Sequence, residues 1–227
     1  MKLKKLTKNV FGRRGFIQEQ RCNLLALRSY IDGSLARREN VQWLLVLTFP
    51  NGGSTALAKL LLTAPHTVAL THNAEGQWLI PSLCRAAARW DKEHLVWQRK
   101  IRAVWLNQVK TKDTAPILVI EKPPPNMCRY QSLIAALYPM QTYVITFTRD
   151  PYATCASWHR RCDFERILRE WYPSAGASGR SERDYFRLLG QIWLERAKML
   201  LAARKDSIID IRYEDFTDET GEVTRAL

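Results

Sequence analysis

Short apolar segments alternate with longer segments of helical character from residue 43 onward. Five buried strands are predicted at 43–49, 67–71, 117–121, 143–148 and 207–212. Between them, the spacing of apolar residues and the capping signals predict helices at 54–63, 76–110, 126–138, 150–171 and 181–204. This alternation predicts an α/β fold, specifically a three-layer α/β/α arrangement with a central parallel sheet of about five strands.

The first forty residues differ from the rest in composition. They contain ten basic and three acidic side chains, and the apolar spacing at 16–38 predicts a helix. We therefore divide the chain into two parts. Residues 1–40 form a basic N-terminal extension with a helix, and residues 41–227 form the α/β domain.

The whole chain of 227 residues carries a net charge of +13, which suits anionic partners without choosing among them. No apolar run approaches the roughly 18 residues that a membrane-spanning helix needs, so no transmembrane segment is expected. The five cysteines are odd in number and lack the CxxC spacing of a zinc site. A reduced, cytoplasmic protein without a metal centre is the simplest interpretation.

A glycine-rich turn follows the first predicted strand, at Pro50–Thr55. Gly52 and Gly53 allow several backbone N–H groups to point at one anion, and Ser54 and Thr55 add hydroxyl donors at a helix start. A plain strand-to-helix turn would have the same composition. The segment lacks the Gly-Lys-Ser/Thr ending of nucleoside triphosphatases, which disfavours an ATPase or a kinase.

A second candidate anion site follows the strand at 143–148. Arg149 ends this strand, and Asp150 and Pro151 mark a helix start in which Ser157 lies about two turns on. A guanidinium group grips a phosphate with two parallel hydrogen bonds, and a serine hydroxyl adds a third. A structural contact between arginine and aspartate beside a helix cap is the alternative.

The chain contains these two motifs and then Arg212–Phe216, in the order found in sulfotransferases that use 3′-phosphoadenosine 5′-phosphosulfate. It resembles this family over residues 43–217. The resemblance implies a P-loop-like sulfotransferase fold. It also implies that the 5′-phosphosulfate is held by the first turn, at Asn51, Gly52, Gly53, Ser54 and Thr55. The 3′-phosphate is then held by Arg149 and Ser157. The segment 121–126 is similar to the Glu-Lys-Ser-Pro segment of many members.

Two features depart from the family's pattern. Asn51 stands where the family usually has a lysine or arginine that stabilises charge on the leaving oxygen, although Lys122 or Lys59 offers a substitute. The alternative function is therefore a slow or inactive nucleotide-binding protein on the same fold. Only 12 residues follow Asp215, where family members continue, so the domain is either compact or truncated at this end.

Sulfuryl transfer requires a base for the acceptor's proton and positive charge around the transferred group. Glu75 is the first choice for the base, and capping of the next helix is its structural alternative. His72 is the rival base, and Lys122 is placed to contact the sulfuryl group or the acceptor. The resemblance implies a hydroxyl or amine acceptor on a small molecule or glycan, and no metal. A basic nucleic-acid-binding protein is a third hypothesis, but the sequence shows no helix-turn-helix, RNA-binding or zinc pattern, so no nucleic-acid partner is expected.

Overall fold

The computed structural model describes residues 2–32, 40–84, 90, 98–109, 116–171 and 181–218. Within this part of the chain, the strands are β1 (Val41–Thr48), β2 (Thr67–Ala69), β3 (Ile117–Glu121), β4 (Thr142–Thr148) and β5 (Ile209–Arg212). The α-helices are α1 (Lys2–Asp32), α2 (Ser54–Leu61), α3 (Pro81–Cys84), α4 (Gln98–Gln108), α5 (Tyr130–Leu137), α6 (Pro151–Arg161), α7 (Phe164–Trp171), α8 (Glu182–Ala203) and α9 (Tyr213–Asp218). Short 3₁₀ helices occupy Gly76–Leu79, Pro124–Cys128 and Arg204–Asp206.

The five strands form one parallel sheet in the order β2-β3-β1-β4-β5. β1 lies at its centre, where Leu45 pairs with Glu121 of β3 and Thr48 pairs with Phe147 of β4. This arrangement confirms the α/β fold with a central parallel sheet. The turns after β1, β3 and β4 therefore leave the sheet at the same edge, the edge where ligands bind in open α/β folds.

The residues of β1 alternate between two cores, one on each face of the sheet. Trp43, Leu45 and Leu47 belong to the larger core, which also includes residues of α4, α5, α6 and α8. Leu44 and Val46 belong to the smaller core, where α2 and α9 contribute Leu57 and Phe216, among others. Because a strand that is buried on both faces needs helices on both sides, the result is the predicted three-layer arrangement.

Several boundaries differ from the sequence prediction. The helix predicted at 16–38 begins earlier, at Lys2, and the described part of it ends at Asp32. The helix predicted at 150–171 is broken at Cys162, which is extended (φ −130°, ψ 141°), and Asp163 accepts a hydrogen bond from the Arg166 N–H at 2.7 Å at the start of α7. Cys162 accepts a hydrogen bond from the Tyr185 hydroxyl, so a tertiary contact satisfies the carbonyl at this break.

The helix predicted at 126–138 is likewise divided. A 3₁₀ helix, Pro124–Cys128, precedes α5, and Arg129 between them is not helical (φ −140°, ψ 17°). Of the helix predicted at 76–110, the structure describes a 3₁₀ turn, α3 and α4, while 85–89 and 91–97 lie outside the described residues. None of the described helices is both long and apolar enough to span a membrane.

Candidate functional site

The glycine-rich turn leaves the carboxyl end of β1 and leads directly into α2. Asn51 (φ 55°) and Gly53 (φ 95°) both adopt the left-handed conformation, which asparagine and glycine accept most readily. The Gly52 N–H donates to the Phe49 carbonyl at 3.1 Å and closes the turn. Gly53 caps α2 without any side-chain hydrogen bond, so the first N–H groups of this helix receive no side-chain cap. Ser54 is buried, and Thr55 is exposed.

Arg149 ends β4 and turns toward this glycine-rich turn. Its Nη1 donates to the Asn51 carbonyl oxygen at 3.1 Å, across a sequence separation of 98 residues. Its Nε is buried and has no hydrogen-bond partner among the residues that the structure describes. A buried guanidinium N–H without a partner is costly. The Arg149 guanidinium group is therefore held at the turn, while its Nε–H lacks a hydrogen-bond partner among the described residues. A bound anion would satisfy this donor.

Helix α6 is fixed to the same turn by Trp158. The Trp158 indole N–H donates to the Pro50 carbonyl at 2.6 Å, and its ring is fully buried. At the other end of α6, the Asp150 side chain accepts from the Ala153 N–H at 2.8 Å, which confirms the predicted cap. Ser157 immediately precedes Trp158 and is also buried. Of the predicted partners, Arg149 directly follows β4 and Ser157 lies on α6, and the turn is contacted by Arg149 itself and by Trp158 of α6.

Asn51 accepts a hydrogen bond from a second guanidinium group, a contact that was not predicted from the sequence. Arg161, the last residue of α6, donates from Nη1 to the Asn51 Oδ1 at 3.0 Å. Asn51 therefore bridges Arg149, through its backbone oxygen, and Arg161, through its side chain. Neither guanidinium group forms an ion pair with a carboxylate within the described part of the chain. Two arginine side chains without a counter-charge meet at one residue of the turn.

Tyr213, the first residue of α9, closes the other side of the turn. The Arg149 guanidinium carbon lies 4.5 Å from the centre of the Tyr213 ring, a cation–π contact. A Cβ atom added to Gly53 would lie 2.3 Å from the Cδ2 and Cε2 atoms of this ring. Glu214 follows, and its Oε1 accepts from the Asp150 N–H at 3.0 Å. The Tyr213 ring thus contacts both Arg149 and the glycine-rich turn.

A second cluster lies at the end of β3, on the other side of β1. Glu75 is in the loop after β2, and its Oε1 lies 3.2 Å from the Lys122 Nζ. Its Oε2 accepts from the Trp78 indole N–H at 2.7 Å. The Lys122 side chain is only 3% exposed and that of Glu75 is 19% exposed, so the carboxylate is the more accessible member of the pair. Two of the three predicted catalytic residues, Glu75 and Lys122, are therefore in contact.

His72 lies on the same loop but does not join this cluster. It is exposed and makes no hydrogen bond to any residue in the part of the chain that the structure describes. Glu75 also differs from its structural alternative, because it precedes the 3₁₀ turn at Gly76 without a side-chain cap hydrogen bond. Of the two candidate bases predicted from the sequence, Glu75 is the one whose side chain forms hydrogen bonds within the described residues.

The loop that carries Glu75 is anchored by the carboxyl group of Glu121. The Gly76 N–H lies 3.0 and 2.8 Å from the two carboxyl oxygens of Glu121, and the Lys122 N–H donates to the Ala74 carbonyl at 2.8 Å. Burial raises the pKa of Glu121 well above its ordinary value, against the opposing effect of the Gly76 hydrogen bond. The neutral form is therefore favoured, and Glu121 acts as a structural acceptor beneath the Glu75 loop.

The residues missed by sequence reasoning share one property: their roles depend on tertiary contacts. Arg161 lies 110 residues from Asn51, and Trp158 lies 108 residues from Pro50. A partial signal existed for Arg161, because it follows Ser157 by four residues and so shares a helix face with it. Among the described residues, no group of three or more His, Cys, Asp or Glu side chains is placed to hold a metal ion.

The fold is that of solved bacterial sulfotransferases. Sulfotransferase STF1 from Mycobacterium tuberculosis H37Rv superposes with a TM-score of 0.59 at 16% identity, over 96% of this chain and 74% of that one. Sulfotransferase STF9 from Mycobacterium avium superposes with a TM-score of 0.57 at 14% identity, over 88% of this chain and 66% of that one. The chain thus spans about three quarters and two thirds of these proteins. No family model and no curated protein sequence matches the chain.

Proposed function

We propose that this protein is a sulfotransferase that moves a sulfuryl group from 3′-phosphoadenosine 5′-phosphosulfate to a hydroxyl or amine of a small molecule or glycan. The observation that carries the proposal is the convergence of Arg149, Arg161 and the uncapped start of α2 on one glycine-rich turn. The buried Nε of Arg149, which lacks a partner among the described residues, supports an anionic ligand. The sulfotransferase fold makes this nucleotide the natural candidate.

The residues fit the two ends of this donor in the following way. The N–H groups of the turn, with Ser54 and Thr55, hold the 5′-phosphosulfate at the start of α2. Arg149, which directly follows β4, and Ser157 on α6 hold the 3′-phosphate in this proposal, the role that the family resemblance implies for them. The donor supplies an activated sulfuryl group whose leaving group is adenosine 3′,5′-bisphosphate.

Glu75 takes the proton of the acceptor in this proposal. Its carboxylate is held by Lys122 and Trp78 and remains partly exposed, which suits a group that must reach a substrate. Lys122 orients Glu75 and adds positive charge on the β3 side of the turn. Because the sulfuryl group already has a good leaving group, positioning and electrostatic stabilisation account for the rate, as in phosphoryl transfer.

Transfer of radiolabelled sulfate to a mixed panel of hydroxyl and amine acceptors tests this function. We expect labelled product with the native protein and a decrease of about 10²–10⁴-fold in Glu75→Gln, because removal of a general base has that effect. The affinity for adenosine 3′,5′-bisphosphate should not change in this variant. Glu182→Gln is the matched control, since the Glu182 side chain is 77% exposed on α8.

A second candidate function is a nucleotide-binding protein without transferase activity, which the neutral Asn51 in the turn favours. The same experiment separates the two. Binding of the bisphosphate without transfer to any acceptor in the panel would support the binding protein. Failure to bind the bisphosphate would contradict both functions.

A further inference from the structure

The turn has no positively charged side chain of its own. Pro50–Thr55 contains no lysine or arginine, yet the Arg161 guanidinium reaches it from the end of α6. Arg161 is exposed, and within the described residues its side-chain hydrogen bond is the one to Asn51. This leaves four guanidinium N–H groups available beside the start of α2.

The position of Arg161 is fixed by two features of α6. Trp158 anchors the helix to the Pro50 carbonyl, three residues before Arg161. Ser157 lies four residues before Arg161, and residues at this spacing share one face of a helix. Arg161 therefore lies on the same face of α6 as Ser157.

The other cations that the sequence offered are less well placed. Lys122 is buried against Glu75, at 3.2 Å, so its charge is already paired. Lys59 lies in the last turn of α2, at the opposite end of the helix from Ser54. Among the described residues, Arg161 and Arg149 are thus the cationic side chains that contact the turn without forming an ion pair with a carboxylate, and Arg149 is on the β4 side.

We propose that Arg161 supplies the positive charge at the 5′ end of the donor and stabilises the bisphosphate leaving group, with Asn51 as its anchor. This inference rests on the proposed function and deepens it. Negative charge builds up on the oxygen that links the phosphate to the sulfuryl group as the sulfur–oxygen bond breaks. A hydrogen bond from a cation stabilises that charge about twice as well as one from a neutral amide.

Asn51 has a specific role in this arrangement. Asparagine tolerates the left-handed backbone conformation at φ 55°, which most residues with a branched or bulky side chain avoid. Its side-chain oxygen then accepts from Arg161. The neutral residue in the turn and the arginine on α6 act as a pair, so the absence of a cation at position 51 does not leave the turn uncharged.

Binding of adenosine 3′-monophosphate and of adenosine 3′,5′-bisphosphate tests the assignment without an acceptor. In Arg161→Gln, we expect the affinity for adenosine 3′,5′-bisphosphate to fall by about tenfold, the size of one lost charge-assisted hydrogen bond. The affinity for adenosine 3′-monophosphate should not change, because that ligand has no 5′-phosphate. Arg161→Lys should retain part of the bisphosphate affinity.

The sulfate-transfer rate distinguishes a direct role from a structural one. If Arg161 only supported the conformation of the turn, Arg161→Gln would lower the melting temperature and weaken the binding of both ligands equally. If its charge acts on the donor, kcat decreases in Arg161→Gln and is partly retained in Arg161→Lys. Arg169→Gln is the matched control, since Arg169 is 67% exposed on α7.

An unchanged bisphosphate affinity and transfer rate in Arg161→Gln would overturn the assignment of Arg161 while leaving the proposed function intact. Equal weakening of the bisphosphate and the 3′-monophosphate would also overturn it. If the native protein binds neither ligand, the proposed function itself fails, and the role of Arg161 fails with it.

Discussion

The ring of Tyr213 lies against the guanidinium group of Arg149, with 4.5 Å between the guanidinium carbon and the ring centre. The same ring packs on Gly53 of the glycine-rich turn. α9 therefore joins the end of β4 to the turn after β1. Because the guanidinium group is confined between this ring and the Asn51 carbonyl, Arg149 is oriented before any ligand binds.

Replacement of the Tyr213 ring should weaken nucleotide binding without removing a direct contact. In Tyr213→Ala, we expect the affinity for adenosine 3′,5′-bisphosphate to fall by about threefold to thirtyfold, the range that corresponds to loss of one cation–π contact. Tyr213→Phe keeps the ring and should bind like the native protein. Isothermal titration calorimetry measures both, and equal affinities in the two variants would contradict this role.

Gly53 should tolerate no side chain. Gly53→Ala places an L residue at φ 95° and a methyl group 2.3 Å from the Tyr213 ring. The backbone conformation alone costs about 1–2 kcal/mol, and the clash adds to it. We expect a lower free energy of unfolding in urea and loss of bisphosphate binding.

Gly190→Ala is the matched control for Gly53→Ala. Gly190 lies within α8, and a Cβ atom there meets no other atom within 4 Å. Because alanine favours a helix over glycine, this variant should be more stable by about 0.5–1 kcal/mol. An equally destabilised Gly190→Ala would show that the effect at Gly53 is not specific to the turn.

Glu121 should make stability depend on pH. Burial raises its pKa in the folded state above the ordinary value of 4.5, so the unfolded chain releases this proton first as the pH rises. The contribution of Glu121 to the free energy of unfolding is fully present below pH 4.5 and is lost as the pH rises through the raised value. Glu121→Gln cannot ionise and should not show this loss.

Urea unfolding of the native protein and Glu121→Gln between pH 4 and pH 8 measures the effect, with Glu182→Gln as the exposed control. We expect the stability of Glu121→Gln relative to the native protein to increase as the pH rises above 4.5, and to level off above the raised pKa of Glu121. Parallel curves across this range would mean that the Glu121 carboxyl ionises as easily in the folded protein as in the unfolded chain.

The strands and the helix starts were predictable because their signals are local. The apolar segment at 43–49 followed by glycines is sufficient to predict β1 and its turn, and Asp150 with Pro151 is sufficient to predict the start of α6. The helix break at Cys162 was not predictable, since a hydrogen bond from Tyr185, 23 residues away, accompanies it.

The candidate site was predictable in its residues but not in its contacts. Glu75 and Lys122 were both named from the sequence, yet their ion pair depends on how the loop after β2 packs on the end of β3. Arg161 carried no motif and was found only through its bond to Asn51. The sequence pattern identifies polar and charged candidate residues, whereas packing decides which of them are in contact.

The most direct test of the anion site is calorimetric titration with adenosine 3′,5′-bisphosphate and adenosine 5′-monophosphate, for the native protein and Arg149→Ala. We expect the native protein to bind the bisphosphate more tightly than the 5′-monophosphate. The account also predicts that Arg149→Ala loses more than about tenfold in bisphosphate affinity, the size of a lost charge-assisted contact, with no change for the 5′-monophosphate. Equal affinity of the native protein for the two ligands, or an unchanged bisphosphate affinity in Arg149→Ala, would contradict it.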